Sequence, residues 1–215
     1  ASFVDGTKTM LEMTALANAT GFVPDKRGMH GPKASVDDLL NIFRLKKEDG
    51  ILSREGVVDY AVGNVAPGVF AIVKTKQETL IKDLKYLKMG DGPHYLLYKP
   101  YHLGNSEAPL SIARAVFDGE PSIAPLGAPV AETVAAAKRD LIAGEEIDDI
   151  GGYTVYGIIE RAEIVRAENL LPLGLAKGAK LLRDIKKDQL ISCDKVKLDE
   201  SLFMLVLRGL QDRFG

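Results

Sequence analysis

Apolar residues recur at helical spacing over Thr7–Thr20, where Met10, Met13, Thr14 and Ala17 share one face and Gly21 supplies a stop. Residues 22–35, FVPDKRGMHGPKAS, show no period and hold two Pro and two Gly. They predict a loop long enough to be functional or mobile. Ser35 followed by Asp38 predicts a capping box that opens a short helix through Phe43. Two strands are predicted next, over 57–62 and 69–75, the second (VFAIVKT) an almost unbroken apolar run suited to a buried position. Leu80, Ile81, Leu84 and Leu87 predict a helix over 78–87, followed by a glycine turn and a strand over 95–99 that Pro100 ends. Alternation puts Tyr95, Leu97 and Lys99 on one face of that strand and Leu96 and Tyr98 on the other. Pro109 suits the first turn of a helix over 110–117, closed by Gly119.

Beyond about residue 120 the pattern shifts to short strands, turns and interleaved charge. An internal echo lies here: 138–147 (KRDLIAGEEI) aligns with 182–191 (LRDIKKDQLI) as strand, tight turn, strand. Two copies are too few for a solenoid and predict a small pseudo-symmetric β domain. Phe203, Val206, Leu207, Leu210 and Phe214 return to helical spacing. The expected fold is therefore α+β. A mixed-sheet α+β domain spans 1–125, a β-rich domain spans 126–200, and a C-terminal helix spans 201–215.

Composition narrows the classes. The chain has 215 residues, 46% hydrophobic and 27% charged, enough to bury a core. A net charge of −2 excludes the broad basic field of non-specific nucleic-acid binding. No run reaches the length of a membrane span. The single Cys193 and the absence of a leader pattern in the opening residues point to a cytoplasmic protein.

Two clusters carry candidate chemistry. In Asp5-Gly6-Thr7-Lys8 a helix begins with a lysine in its first turn, a setting that favours a substrate anion or developing oxyanion. The plain alternative is a solvated Lys8 with Asp5 or Thr7 as the cap. The second cluster, 88–107, gathers His94, His102, Asp91, Lys99, Tyr101 and Glu107 near glycine turns. Histidine beside carboxylate supplies acid–base groups, while a hydrogen-bonded aromatic cluster is the structural alternative. Asp91 with Glu107 is the one pairing suited to Mg²⁺, and no zinc spacing occurs. Neither Gly-x-Gly-x-x-Gly nor a Walker-type sequence is present.

The blocks 2–9 (SFVDGTKT), 28–32 (GMHGP), 65–70 (VAPGVF), 88–93 (KMGDGP), 98–103 (YKPYHL) and 123–129 (IAPLGAP) resemble one bacterial family. These are the homoserine-dehydrogenase-like oxidoreductases with a C-terminal SAF-type (β-clip) domain, which include deoxyxylulose-phosphate reductoisomerase-like enzymes. The resemblance covers essentially the whole chain and places it after the family's Rossmann domain. It implies hydride transfer between NADP or NAD, bound mainly by that other domain, and a small anionic carbonyl or hydroxy substrate. Lys8, Asp91, His94 and His102 become the catalytic candidates. Asp5, His30, Lys99, Tyr101 and Glu107 become substrate-binding candidates, with 22–35 as a lid. A shared site requires Lys8 and the 91–107 segment to meet in one cleft. A homodimer is the expected assembly. The competing reading is a non-catalytic ligand-binding or oligomerisation module of SAF type.

Overall fold

The computed structural model of the chain describes residues 5–65, 67–101 and 103–214. In chain order the helices and strands of the first half are α1 (Thr7–Thr20), β1 (Val23–Pro24), β2 (Lys33–Ser35), α2 (Val36–Ile42), β3 (Val57–Val58), β4 (Val62–Asn64), β5 (Val69–Lys74), α3 (Glu78–Tyr86), β6 (His94–Lys99) and α4 (Gly104–Ala113). Those of the second half are β7 (Ala131–Ala137), β8 (Val155–Arg161), α5 (Ala162–Ala167), β9 (Lys180–Leu181), β10 (Val196–Lys197) and α6 (Phe203–Phe214). The fold is α+β. Contacts divide it into two compact units, the first made of 5–29, 56–59 and 123–214, the second of 30–55 and 60–122. The units are not contiguous in sequence, because α1 belongs with the chain beyond 123 rather than with its sequence neighbours. Among the described residues no helix is long and apolar enough to cross a membrane.

In the first unit α1 lies on the antiparallel pair β7–β8, and polar side chains fix its position. The Gly157 N–H donates to Thr7 Oγ1 at 3.0 Å, and the Thr14 and Thr133 hydroxyls meet at 2.8 Å. Asn18 Oδ1 accepts the N–H groups of Val130 and Ala131 at 2.8 and 3.1 Å. Such close approach needs small residues. A Cβ at Gly157 would lie 2.7 Å from Thr133 Cγ2 and 2.9 Å from Leu173 Cδ2, and Ala135, Ala136 and Ala137 are fully buried.

The echoed segments form a pseudo-twofold core. Leu141 and Ile185, equivalent residues, pair with each other, exchanging N–H···O bonds of 2.9 and 3.0 Å. Asp140 accepts the Lys187 N–H at 2.9 Å, and its mate Asp184 accepts the Ala143 N–H at 2.8 Å. Gly144 N–H to Leu181 O (2.7 Å) is matched by Asp188 N–H to Ala137 O (2.8 Å). Leu141, Ile147, Leu181, Ile185 and Ile191 are buried between the halves. Each aspartate thus closes the turn of the other copy, so neither half is complete alone. On the same unit α6 packs Leu205 against this core, and Arg208 reaches Glu132 at 2.5 Å.

In the second unit the hairpin β5–β6 pairs Val69 with Lys99 and Lys74 with His94. Opposed residues share a face, so Phe70, Ile72, Leu96 and Tyr98 form one side and Val69, Ala71, Val73, Leu97 and Tyr95 the other, of which Tyr95 alone is fully buried. The first side is covered: Phe43, at the end of α2, meets Phe70 with ring centroids 5.2 Å apart, and the Tyr98 hydroxyl donates to Val65 O at 3.1 Å.

Several expectations change. The 22–35 segment is not a structureless loop, since β1 pairs with β3 and β2 with β4, both parallel. The 57–62 strand divides into β3 and the start of β4. The β5 run forms a strand but is not buried, because a two-stranded sheet covered on one side leaves Val69, Val73 and Leu97 exposed. Pro109 sits inside α4 rather than opening it. The Leu103 carbonyl accepts the N–H groups of Ser106 and Glu107, so the first turn forms before the proline. The capping box at Ser35–Asp38, the stop at Gly21 and the left-handed Gly119 are as predicted.

Candidate active site

Of the nine residues the sequence singles out, Asp5 and Lys8 fall in the first unit. His30, Asp91, His94, Lys99, Tyr101 and Glu107 fall in the second. His102 lies outside the described residues.

At the start of α1, Asp5 Oδ1 accepts the Thr7 N–H at 2.9 Å, and Oδ2 meets Lys138 Nζ at 2.6 Å. Both charged side chains keep only 17% of their surface exposed. Lys138 also donates to the Gly152 carbonyl at 2.5 Å, tying α1 to the loop before β8. Burial by itself would raise the Asp5 carboxyl. The Lys138 ammonium and the two bonds from Thr7 outweigh it and hold the group below the ordinary carboxylate value. Asp148 behaves alike: burial opposes ionisation, and the Thr154 hydroxyl with the Tyr153 and Thr154 N–H groups overcomes it. Asp5 is therefore a strut of the helix start. Lys8 is exposed on the same turn, 3.6 Å from Glu12 one turn along.

In the second unit His94 opens β6 with its side chain 13% exposed, and its Nε2 lies 3.3 Å from Glu48 Oε2. Glu48 Oε1 accepts from Lys74 Nζ at 2.7 Å. The strand register explains the convergence, since Lys74 and His94 are directly opposed on the covered face. The Lys74 hydrogen bond, aided by the charges of His94 and Lys47, holds the Glu48 carboxyl below its usual value against desolvation. An imidazole close to a carboxylate that Lys74 fixes, and beside a partly open surface, is equipped to exchange a proton.

The other candidates are engaged in simple pairs. Asp91 meets Lys85 at 2.7 Å, both largely exposed, and Lys85 lowers its pKa by that hydrogen bond. Lys99 pairs with Glu107. Tyr101 is exposed, and His30 is half-buried. The two acids proposed for Mg²⁺ thus each hold a lysine, and among the described residues no three His, Cys, Asp or Glu side chains gather as a metal site.

Sequence reasoning missed Glu48, Lys74 and Lys138. Glu48 sits in the polar turn 46–49, and only the β5–β6 register reveals that Lys74 and His94 both reach it. It also missed Glu160, 2% exposed, which accepts from Arg27 Nε at 2.6 Å. Burial of an acid inside β8 leaves no trace in the pattern.

The family model for the catalytic domain of oxidoreductase DRL matches residues 1–108, and the chain belongs to that family. It is an oxidoreductase catalytic domain. No curated protein matches the chain. All nine sequence-derived candidates fall within the matched residues.

Proposed function

We propose that the chain is the substrate-binding and catalytic portion of an NAD(P)H-dependent reductase or reductoisomerase acting on a small anionic carbonyl or hydroxy compound. The observation that carries this reading is the His94–Glu48–Lys74 group, inside the residues that match an oxidoreductase catalytic domain. His94 exchanges the proton that accompanies hydride transfer, while Glu48 fixes the ring and Lys74 fixes Glu48. The resemblance to SAF-containing enzymes and the pseudo-twofold core support a β-clip assignment for the second half. The exposed Val69, Val73 and Leu97 on one face of β5–β6 support a homodimer, and the single cysteine a cytoplasmic setting.

The described residues do not fit a dinucleotide cradle. The only glycine at the start of α1 is Gly6, preceded by Asp5, whose carboxylate already takes the Thr7 N–H that a pyrophosphate would use. The resemblance assigns cofactor binding to another domain of the enzyme. The test follows oxidation of NADPH and NADH by the enzyme against a panel of phosphorylated and carboxylated ketones and aldehydes. Turnover of an anionic carbonyl that His94→Gln lowers by about 10²-fold or more supports the reading. Full turnover by His94→Gln contradicts it.

A further inference from the structure

The two halves of the pseudo-twofold core share a hydrogen-bond skeleton, yet they differ where a groove of about 460 Å³ opens beside the second half. Equivalent positions carry Glu145, Glu146 and Asp148 in the first half but Gln189, Leu190 and Ser192 in the second. Gly151 is matched by Lys195. Three acids are thus absent and a cation present on the side that forms the groove. The turn position also differs. Both halves require a left-handed backbone there, which the first meets with Gly144 (φ 87°) and the second with Asp188 (φ 64°). An aspartate is strained where glycine is not, and the skeleton gives no reason for it. The Asp188 carboxylate lines the groove and accepts from the Tyr156 hydroxyl at 3.2 Å.

We propose that this groove binds a small aliphatic carboxylate bearing a neighbouring hydroxyl or ammonium group. Ile158, Leu170 and Leu190 supply apolar lining for the aliphatic stem. Lys195 is half-buried there, and among the described residues its ammonium forms no ion pair, so it receives the carboxylate. Arg27 does not, because Glu160 at 2.6 Å and both oxygens of Glu168 at 2.7 and 2.8 Å already occupy it. Asp188 receives the hydroxyl or ammonium, and the Gln189 side-chain amide is a second donor. The groove's lining lies almost wholly outside residues 1–108 and shares no residue with the His94–Glu48–Lys74 group.

The test titrates leucine, its hydroxy-acid analogue, isocaproate and isoamyl alcohol into the protein and follows backbone amide shifts by NMR. Saturable millimolar shifts at Ile158, Gln189 and Ser192 are expected with leucine or the hydroxy acid, at least tenfold weaker with isocaproate, and none with the alcohol. Asp188→Gly removes backbone strain, so its melting temperature should equal or exceed the wild type while binding falls at least tenfold. Lys195→Met, a substitution outside the strained turn, should weaken binding by a similar factor. The proposal fails if none of the four compounds saturates, or if the two variants bind like the wild type.

Discussion

β7 and β5 are both apolar strands paired antiparallel with a neighbour, yet one is sealed and the other is open. β7, AETVAAA, places five consecutive residues from Thr133 to Ala137 in full burial, whereas no residue of β5, VFAIVK, is fully buried. The more hydrophobic strand is the more exposed one. What separates them is the number of layers. β7 has β8 beside it, α1 on one side and the pseudo-twofold core on the other, and its small side chains permit both approaches. β5 has β6 beside it and Phe43, at the end of α2, on one side. Burial is thus set by what comes to lie on a strand, and hydrophobicity alone does not report it.

The largest expected effect lies at the pseudo-twofold axis. Leu141→Ala or Ile185→Ala should each cost about 2–5 kcal/mol, because each leaves a cavity in a core that both halves share. Urea unfolding measures it. A loss under 1 kcal/mol would mean that the halves do not depend on each other.

Next comes the strut at α1. Asp5→Asn leaves Lys138 without its counter-charge and should cost about 1.5–3 kcal/mol at neutral pH. The pH dependence has a definite sign. The folded pKa of Asp5 lies below its ordinary value of 3.8, so the unfolded chain binds the proton more readily. The stabilisation is complete above that value and is lost as pH falls through the depressed folded value. Wild type and Asp5→Asn should therefore converge in melting temperature in acid. A constant gap down to the acid limit would show that Lys138 does not hold the carboxylate.

Gly157→Ala should cost about 1–3 kcal/mol by overpacking against Thr133 and Leu173. Equal stability would show that α1 can lift from β8 without penalty. The smallest effects belong to the open face. Leu97→Ala should change stability by less than about 0.5 kcal/mol, since the side chain is half exposed. A Leu97→Ala loss that grows with protein concentration would show that a second copy covers this face.

How much of this was legible follows from the same comparison. Local signals read well: Ser35 with Asp38, Gly21, Gly119, and the echo of 138–147 in 182–191. Each is written within ten residues or repeats a pattern. The echo even fixes which aspartates are equivalent, though not that each serves the other copy's turn. Long-range facts did not read. Nothing in VFAIVKT says that only one side will be covered, and nothing in the 7–20 helix says that it joins the chain after 123. For the site, the pattern found His94 but not Glu48, because a polar turn looks like any other until the β5–β6 register brings Lys74 and His94 onto it. It weighted Asp91 and Glu107 for their proximity in sequence, whereas each is paired with its own lysine.

His94, 3.3 Å from Glu48, is proposed to move a proton in an oxidoreductase reaction. Steady-state kinetics of His94→Gln on the enzyme with an accepted anionic carbonyl substrate, beside a thermal melt, test it most directly. The account predicts that kcat/KM falls about 10²-fold or more while the melt stays close to wild type. Wild-type kcat/KM, or a loss that tracks unfolding, would contradict it and leave the histidine as a packing residue of the hairpin.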